Sequence, residues 1–104
     1  MLTSRMKVSL LYFDGCPNWR IADARLRHAL THVGRADARV EYRKVRSPEE
    51  AAANQFRGSP TILIDGVDPF ADPDSPVGLS CRVYPTSEGL SGAPTVTQLT
   101  RLLA

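Results

Sequence analysis

Two side chains in this sequence can act as soft nucleophiles, Cys16 and Cys81. Their settings differ. Cys16 follows the turn signal Asp14-Gly15 and precedes Pro17, whose fixed φ and missing N–H suit the first position of a helix. A cysteine at such a place faces unpaired N–H groups and the positive end of the helix dipole. Both favour the thiolate, which is the reactive form. If Cys16 is the cap residue, its sulfur points at those donors, and Arg20, one turn on, adds positive charge. The plainer reading makes Cys16 a small buried hydrophobe and Arg20 a solvated surface residue.

Cys81 has two chemical uses. It can resolve a mixed disulfide or sulfenic acid formed on Cys16. It can instead join Cys16 in holding a soft metal such as mercury. A buried edge-strand cysteine is the plainer reading. The expected path of the chain sets Cys81 early on a returning strand, some distance from Cys16, whereas a disulfide needs Cα atoms within about 7 Å. His28 and His32 have the i, i+4 spacing of a metal pair, but they fall opposite the apolar stripe with no third ligand nearby in sequence. No resident metal or cofactor is expected. Asp65, Asp68, Asp72 and Asp74 lack calcium-loop spacing and read as a solvated, turn-rich loop. No Ser–His–Asp grouping, phosphate-binding loop or dinucleotide fingerprint is present.

The elements that would position Cys16 follow from periodicity. Val8 to Phe13 is apolar on both faces, as in a covered strand. Ala22, Leu26, Ala29 and Val33 fall at helical spacing, and Gly34 is a candidate C-terminal cap. Ala38 to Val45 alternates like an edge strand. Ser47-Pro48-Glu49-Glu50 opens a short helix running to about Phe56. Gly58-Ser59-Pro60 breaks it, and Thr61 to Ile64 is a second strongly apolar strand. A long loop over Gly66 to Gly78 follows, long enough to suggest a lid. Cys81 to Tyr84 reads as a strand, Gly89 and Gly92 as loop, and Pro94 as the opening of a last helix with Val96, Leu99, Leu102 and Leu103. The order β-α-β-α-β-β-α predicts a parallel first pair with a right-handed crossover and an antiparallel last pair.

That order, with the segments Gly15-Cys16-Pro17-Asn18-Trp19 and Gly58-Ser59-Pro60-Thr61, resembles the thioredoxin-like superfamily over about Lys7 to Ala104. The resemblance implies an α/β three-layer sandwich with a mixed four-stranded sheet. It implies a reactive cysteine at Cys16 and a cis-proline at Pro60 facing it. It also implies a groove for substrate, to which Ser59, Pro60, Trp19, Gly92 and Ala93 are candidate contributors, although Trp19 also reads as a packing residue. A cis-proline there would leave the Ser59 backbone free to pair with an extended thiol substrate. The segments GCPNW, GSPTILIDGVDPF and GLSCRVY are similar to small thioredoxin-like proteins often labelled alkylmercury lyase, some of which carry selenocysteine at the first cysteine position. One departure matters: Trp19 stands where a dithiol thioredoxin has its second cysteine, so no disulfide can form within the motif.

Composition frames the chemistry. The chain has 104 residues, 42% of them hydrophobic and 23% charged, as expected of a single soluble domain. The net charge is only +2, and the arginines are spread along the chain, which argues against a nucleic-acid face. No apolar run is long enough to span a membrane, and the start lacks a signal-peptide layout, so the expected location is the cytoplasm. Two cysteines in a reducing compartment point to catalysis, metal binding or burial rather than a structural bridge. The expected function is a monothiol redox protein, a thiol-dependent oxidoreductase with Cys16 as nucleophile in thiol–disulfide or peroxide chemistry. Its partner is a thiol or disulfide substrate, or another soft electrophile, and the adduct is resolved by Cys81 or a low-molecular-weight thiol. The alternatives are a mercury-type thiol binding protein using Cys16 and Cys81, and a non-catalytic binding module.

Overall fold

The computed structural model describes residues 6–104. β1 (Val8–Tyr12) is central, flanked by β2 (Val40–Lys44) and β3 (Thr61–Ile64). β1 and β2 run parallel, with Leu10 opposite Tyr42. β3 runs antiparallel to β1, with Leu10 opposite Ile62. α1 (Trp19–His32) joins the parallel pair, and α2 (Pro48–Ala53) and α3 (Val96–Leu103) complete the helices.

Alternation along β1 divides the core. Val8 and Leu10 pack with Ala22, Leu26, Ala29 and Leu30 of α1 and with Leu99 and Leu103 of α3. Leu11 belongs to a second cluster with Val45, Ala51 and Phe56. Both faces of β1 are therefore covered, which is why apolar side chains fall on both of them. Each fully buried leucine contributes about 1.5–3 kcal/mol relative to exposure.

The helix ends obey local chemistry. At the end of α1, Gly34 adopts φ +81°, the Gly34 N–H donates to Thr31 O and the Arg35 N–H donates to Leu30 O, satisfying the last carbonyls. Ser47 Oγ accepts the Glu50 N–H at the start of α2. The Glu50 carboxylate takes the Arg46 N–H rather than that of Ser47, so only half of the expected capping box forms. α2 stops at Ala53, short of Phe56, whose N–H returns to Ala51 O while its ring enters the core. A full capping box does form at α3, between Thr95 and Gln98, and Pro94 lies just outside that helix.

The four-stranded sheet is not what the described residues form. They make a three-stranded mixed sheet and a separate two-stranded ribbon, β4 (Tyr84–Thr86) with β5 (Gly89–Ser91). The expected strand over Cys81 to Tyr84 is displaced toward the C-terminus, and its partner is β5 rather than β3. Thr86 Oγ1 both donates to Gly89 O and accepts the Glu88 N–H, closing a tight turn, and Gly89 supplies φ +102°. Just before Tyr84, Cys81 forms an isolated parallel bridge with Ser59.

Candidate functional site at Cys16 and Cys81

Cys16 lies between β1 and α1. Its N–H donates to Phe13 O, closing the Asp14-Gly15 turn. α1 begins only at Trp19, and Asn18 is its cap, with no side-chain capping bond. Cys16 is therefore not the cap residue, and Pro17 belongs to the turn before the helix, not to its first position. The chain needs the extra residues because the Arg20 N–H turns back to Pro17 O before regular α-helical bonding starts with Ala22 N–H to Asn18 O. Among the described residues no helix N–H is bonded to the Cys16 sulfur. The sulfur lies instead 3.6 Å from the Ser59 carbonyl oxygen, and Cys16 is fully buried.

The largest departure from expectation is Cys81. It is not remote. Its Cα is 5.6 Å from that of Cys16, across a sequence separation of 65, and the two sulfurs are bonded. A strand beginning near Cys81 and returning along β3 would have kept them apart. The chain instead crosses Ser59, beside the β1–α1 turn, before it reaches β4. Cys16 is buried while Cys81 is exposed, so an incoming thiolate meets this disulfide from the Cys81 side.

Ser59 lies against both cysteine segments. The Ser59–Pro60 peptide is cis, as the resemblance implied. Both residues are buried. The Ser59 backbone is not free, however. Its N–H donates to Ser80 O at 2.7 Å, and its carbonyl accepts the Arg82 N–H at 2.8 Å. The residues on either side of Cys81 thus fill the edge that was expected to stay open. Ser59 Oγ faces β1 and accepts the Phe13 N–H at 3.4 Å. Gly58 is required here: it has φ +112°, and a Cβ would lie 3.0 Å from Arg82 Cβ and 3.1 Å from Ser80 O.

Arg82 anchors this crossing. Its side chain is 8% exposed and pairs with the 11% exposed Asp68 carboxylate at 2.7 Å. The same guanidinium donates to Thr61 Oγ1 at 3.1 Å and to Phe70 O at 2.8 Å, and it lies 4.7 Å from the Tyr84 ring centroid. A buried ion pair needs such a full set of partners to offset desolvation. Asp68 is accordingly not part of a solvated acidic loop. Below Arg82, the Tyr84 hydroxyl donates to Pro60 O, and burial pushes that phenol far above its ordinary range, against the opposing pull of Arg82. Phe70 meets the Tyr84 ring edge-on at 5.2 Å. Sequence reasoning missed the clamp. Its one available signal was an arginine beside the second cysteine in an otherwise weak strand.

The remaining candidates fall around this centre. Trp19 is half-buried, stacked on Tyr12 at 4.5 Å with the Arg20 guanidinium 5.4 Å from its ring, so Arg20 attends the indole rather than the sulfur. Gly92 abuts the cap of α1: a Cβ there would come within 2.4 Å of Asn18 Nδ2. Ala93 is buried, and its carbonyl accepts from Arg25. His28 and His32 are exposed on α1, and among the described residues no group of three potential metal ligands occurs. No helix among them is long and apolar enough to cross a membrane.

Comparison with known proteins returns nothing for this chain: no family model matches it, and neither a curated protein nor a solved structure does.

Proposed function

We propose that the chain is a thioredoxin-like redox protein whose working couple is Cys16 and Cys81. What carries the reading is the convergence of two cysteines 65 residues apart onto one point, with Cα atoms 5.6 Å apart, in the turn between β1 and α1. The parallel β1/β2 pair, the antiparallel β3 and the place of Ser59-Pro60 beside Cys16 support the fold half of the reading.

In the reduced protein, the Cys16 thiol gives up its proton to water, and its thiolate attacks one sulfur of a partner disulfide. The partner S–S bond breaks, a mixed disulfide forms on Cys16, and the partner's first thiolate leaves. Cys81, deprotonated in turn, attacks Cys16 Sγ of that mixed disulfide. The Cys16–Cys81 bond forms, and the second partner thiolate leaves. The partner has gained two electrons and the protein has lost two. Two equivalents of a low-molecular-weight thiol return the protein to the dithiol: the first attacks the exposed Cys81 and frees the Cys16 thiolate, and the second attacks the mixed disulfide on Cys81, releasing the Cys81 thiolate and leaving with the first as their disulfide. Because Cys81 is supplied from a distant segment, Trp19 at the end of the motif does not prevent the cycle.

An aromatic disulfide reagent that releases a coloured thiolate tests the scheme. The reduced wild type is expected to release two thiolates per chain and end as the internal disulfide. Cys81→Ser is expected to release one and retain the other reagent half on Cys16. Release of one by the wild type, with the adduct persisting, would refute Cys81 as the resolving group. The same two thiols also suit a soft cation. That reading expects one-to-one Hg²⁺ binding that is lost in Cys81→Ala, without reversible exchange with disulfides.

A further inference from the structure

The Ser80–Arg82 segment bears more contacts than a resolving cysteine requires. Both backbone groups of Ser59 are bonded to it, at Ser80 O and Arg82 N. Gly58 lies close beneath it: a Cβ there would press to 3.0 Å from Arg82 Cβ and 3.1 Å from Ser80 O. The Arg82 guanidinium reaches Asp68, Thr61 and Phe70 O. Upstream, the Gly78 N–H donates to Phe56 O, and Arg57 donates to Ser75 O. None of these contacts passes through the sulfur–sulfur bond. Reducing that bond removes none of them directly, and a buried ion pair is the most costly of them to separate. Cys16, fully buried, lies beneath this crossing.

We propose that the Ser80–Arg82 segment is a tethered plug on the Ser59 edge, with Arg82 and Asp68 as positioning residues that keep it seated whether or not the cysteines are bonded. Resting on the reading of Cys16 as the nucleophile, the proposal adds a gate: Cys16 meets an outside disulfide only when the Arg82–Asp68 clamp releases. The seated plug has a second effect. It holds Cys81 beside Cys16, so the clamp that slows entry also speeds the return attack that closes the cycle.

The test uses Cys81→Ser, which has no couple, so its outcome is independent of whether the redox reading holds. Iodoacetamide labelling of Cys16 in the folded variant is expected to be at least about tenfold slower than in the urea-unfolded chain at the same pH, as for a group reached through local opening. Adding Asp68→Asn is expected to raise the folded rate about tenfold, as a weakened local structure opens more often. Amide exchange at Ser59 and Arg82 should rise in parallel while Leu10 and Leu11 of β1 stay protected, a pattern that general destabilisation does not give. Where the double variant loses β1 protection as well, Thr61→Val on the Cys81→Ser background decides. It removes one Arg82 partner, and a severalfold rise in labelling with β1 intact is expected. Labelling of Cys81→Ser at the unfolded rate would overturn the proposal, as would clamp variants that leave labelling and the Ser59 and Arg82 amides unchanged. Failure of the wild type to form the internal disulfide reversibly would sink the redox reading alone.

Discussion

The sulfur of Cys16 lies 3.6 Å from the Ser59 carbonyl oxygen, the same oxygen that accepts the Arg82 N–H at 2.8 Å. One backbone atom therefore touches the buried cysteine and grips the residue next to its partner. Disturbance on either side of Ser59 should reach both cysteines.

Gly58→Ala is the smallest such disturbance. The new methyl would press on Ser80 O and Arg82, at a φ of +112° that favours glycine. A loss of about 1–3 kcal/mol is expected, the usual cost of such a backbone conformation for an L residue. The Cys16–Cys81 disulfide should also become easier to reduce. Urea unfolding of the oxidised protein together with a thiol-exchange equilibrium checks both. A disulfide equilibrium equal to wild type would show that the close approach at Gly58 does not position the segment.

Asp68→Ala should cost more. It strands a guanidinium that is 8% exposed, and breaking a buried pair from one side typically costs about 3–5 kcal/mol. Replacing both partners, as Asp68→Leu with Arg82→Met, should recover most of that loss, because no buried charge is then left unpaired. Denaturation of the two single variants and the double variant gives the comparison. Equal losses in the single and double variants would mean that the pair does not act as a unit.

Tyr84 gives the protein an alkaline limit. Burial raises its folded-state phenol far above the ordinary value near 10, so the unfolded chain releases this proton first as pH rises. The unfolded state then binds fewer protons than the native state, and stability must fall with rising pH above about 10. Below that range both states hold the proton and the contribution is complete. Tyr84→Phe should be less stable at neutral pH through loss of the bond to Pro60 O, yet show a shallower alkaline decline. Thermal melts between pH 8 and 11 measure both, and an unchanged slope in Tyr84→Phe would contradict the assignment.

Much of the frame was legible in the sequence because it rests on local rules. The apolar runs of β1 and β3, the stripe of α1 with Gly34 behind it, and the Ser47 cap each carry their signal within a few residues. Pro60 was legible from its place before β3. The path of the chain from Gly66 to Val83 was not. It is held by Arg82 to Asp68 and by Ser59 to both neighbours of Cys81, contacts that join distant segments and leave no periodicity. The β4–β5 ribbon was hidden for a different reason: Ser87-Glu88 is not the Asn-Gly or Asp-Gly pair that marks a tight hairpin. Once Cys81 was assigned to a strand on β3, its distance from Cys16 followed wrongly.

Reduction itself should lower stability even with the clamp intact. A cross-link across 65 residues restricts the unfolded chain by about 4 kcal/mol in the loop-entropy account. Unfolding of the oxidised protein, the reduced protein and Cys81→Ser should place the last two together and well below the first. A reduced protein as stable as the oxidised one would mean that the unfolded chain gains nothing from losing the link.

The most direct measurement is a redox titration of the wild type in glutathione buffers, quenched with acid and read by alkylation and mass. The expected result is one transition between the dithiol and a Cys16–Cys81 disulfide, with little glutathione bound at any ratio. Independent glutathionylation of the two cysteines, or two thiols that stay free at every ratio, would contradict the assignment of Cys16 and Cys81 as a couple.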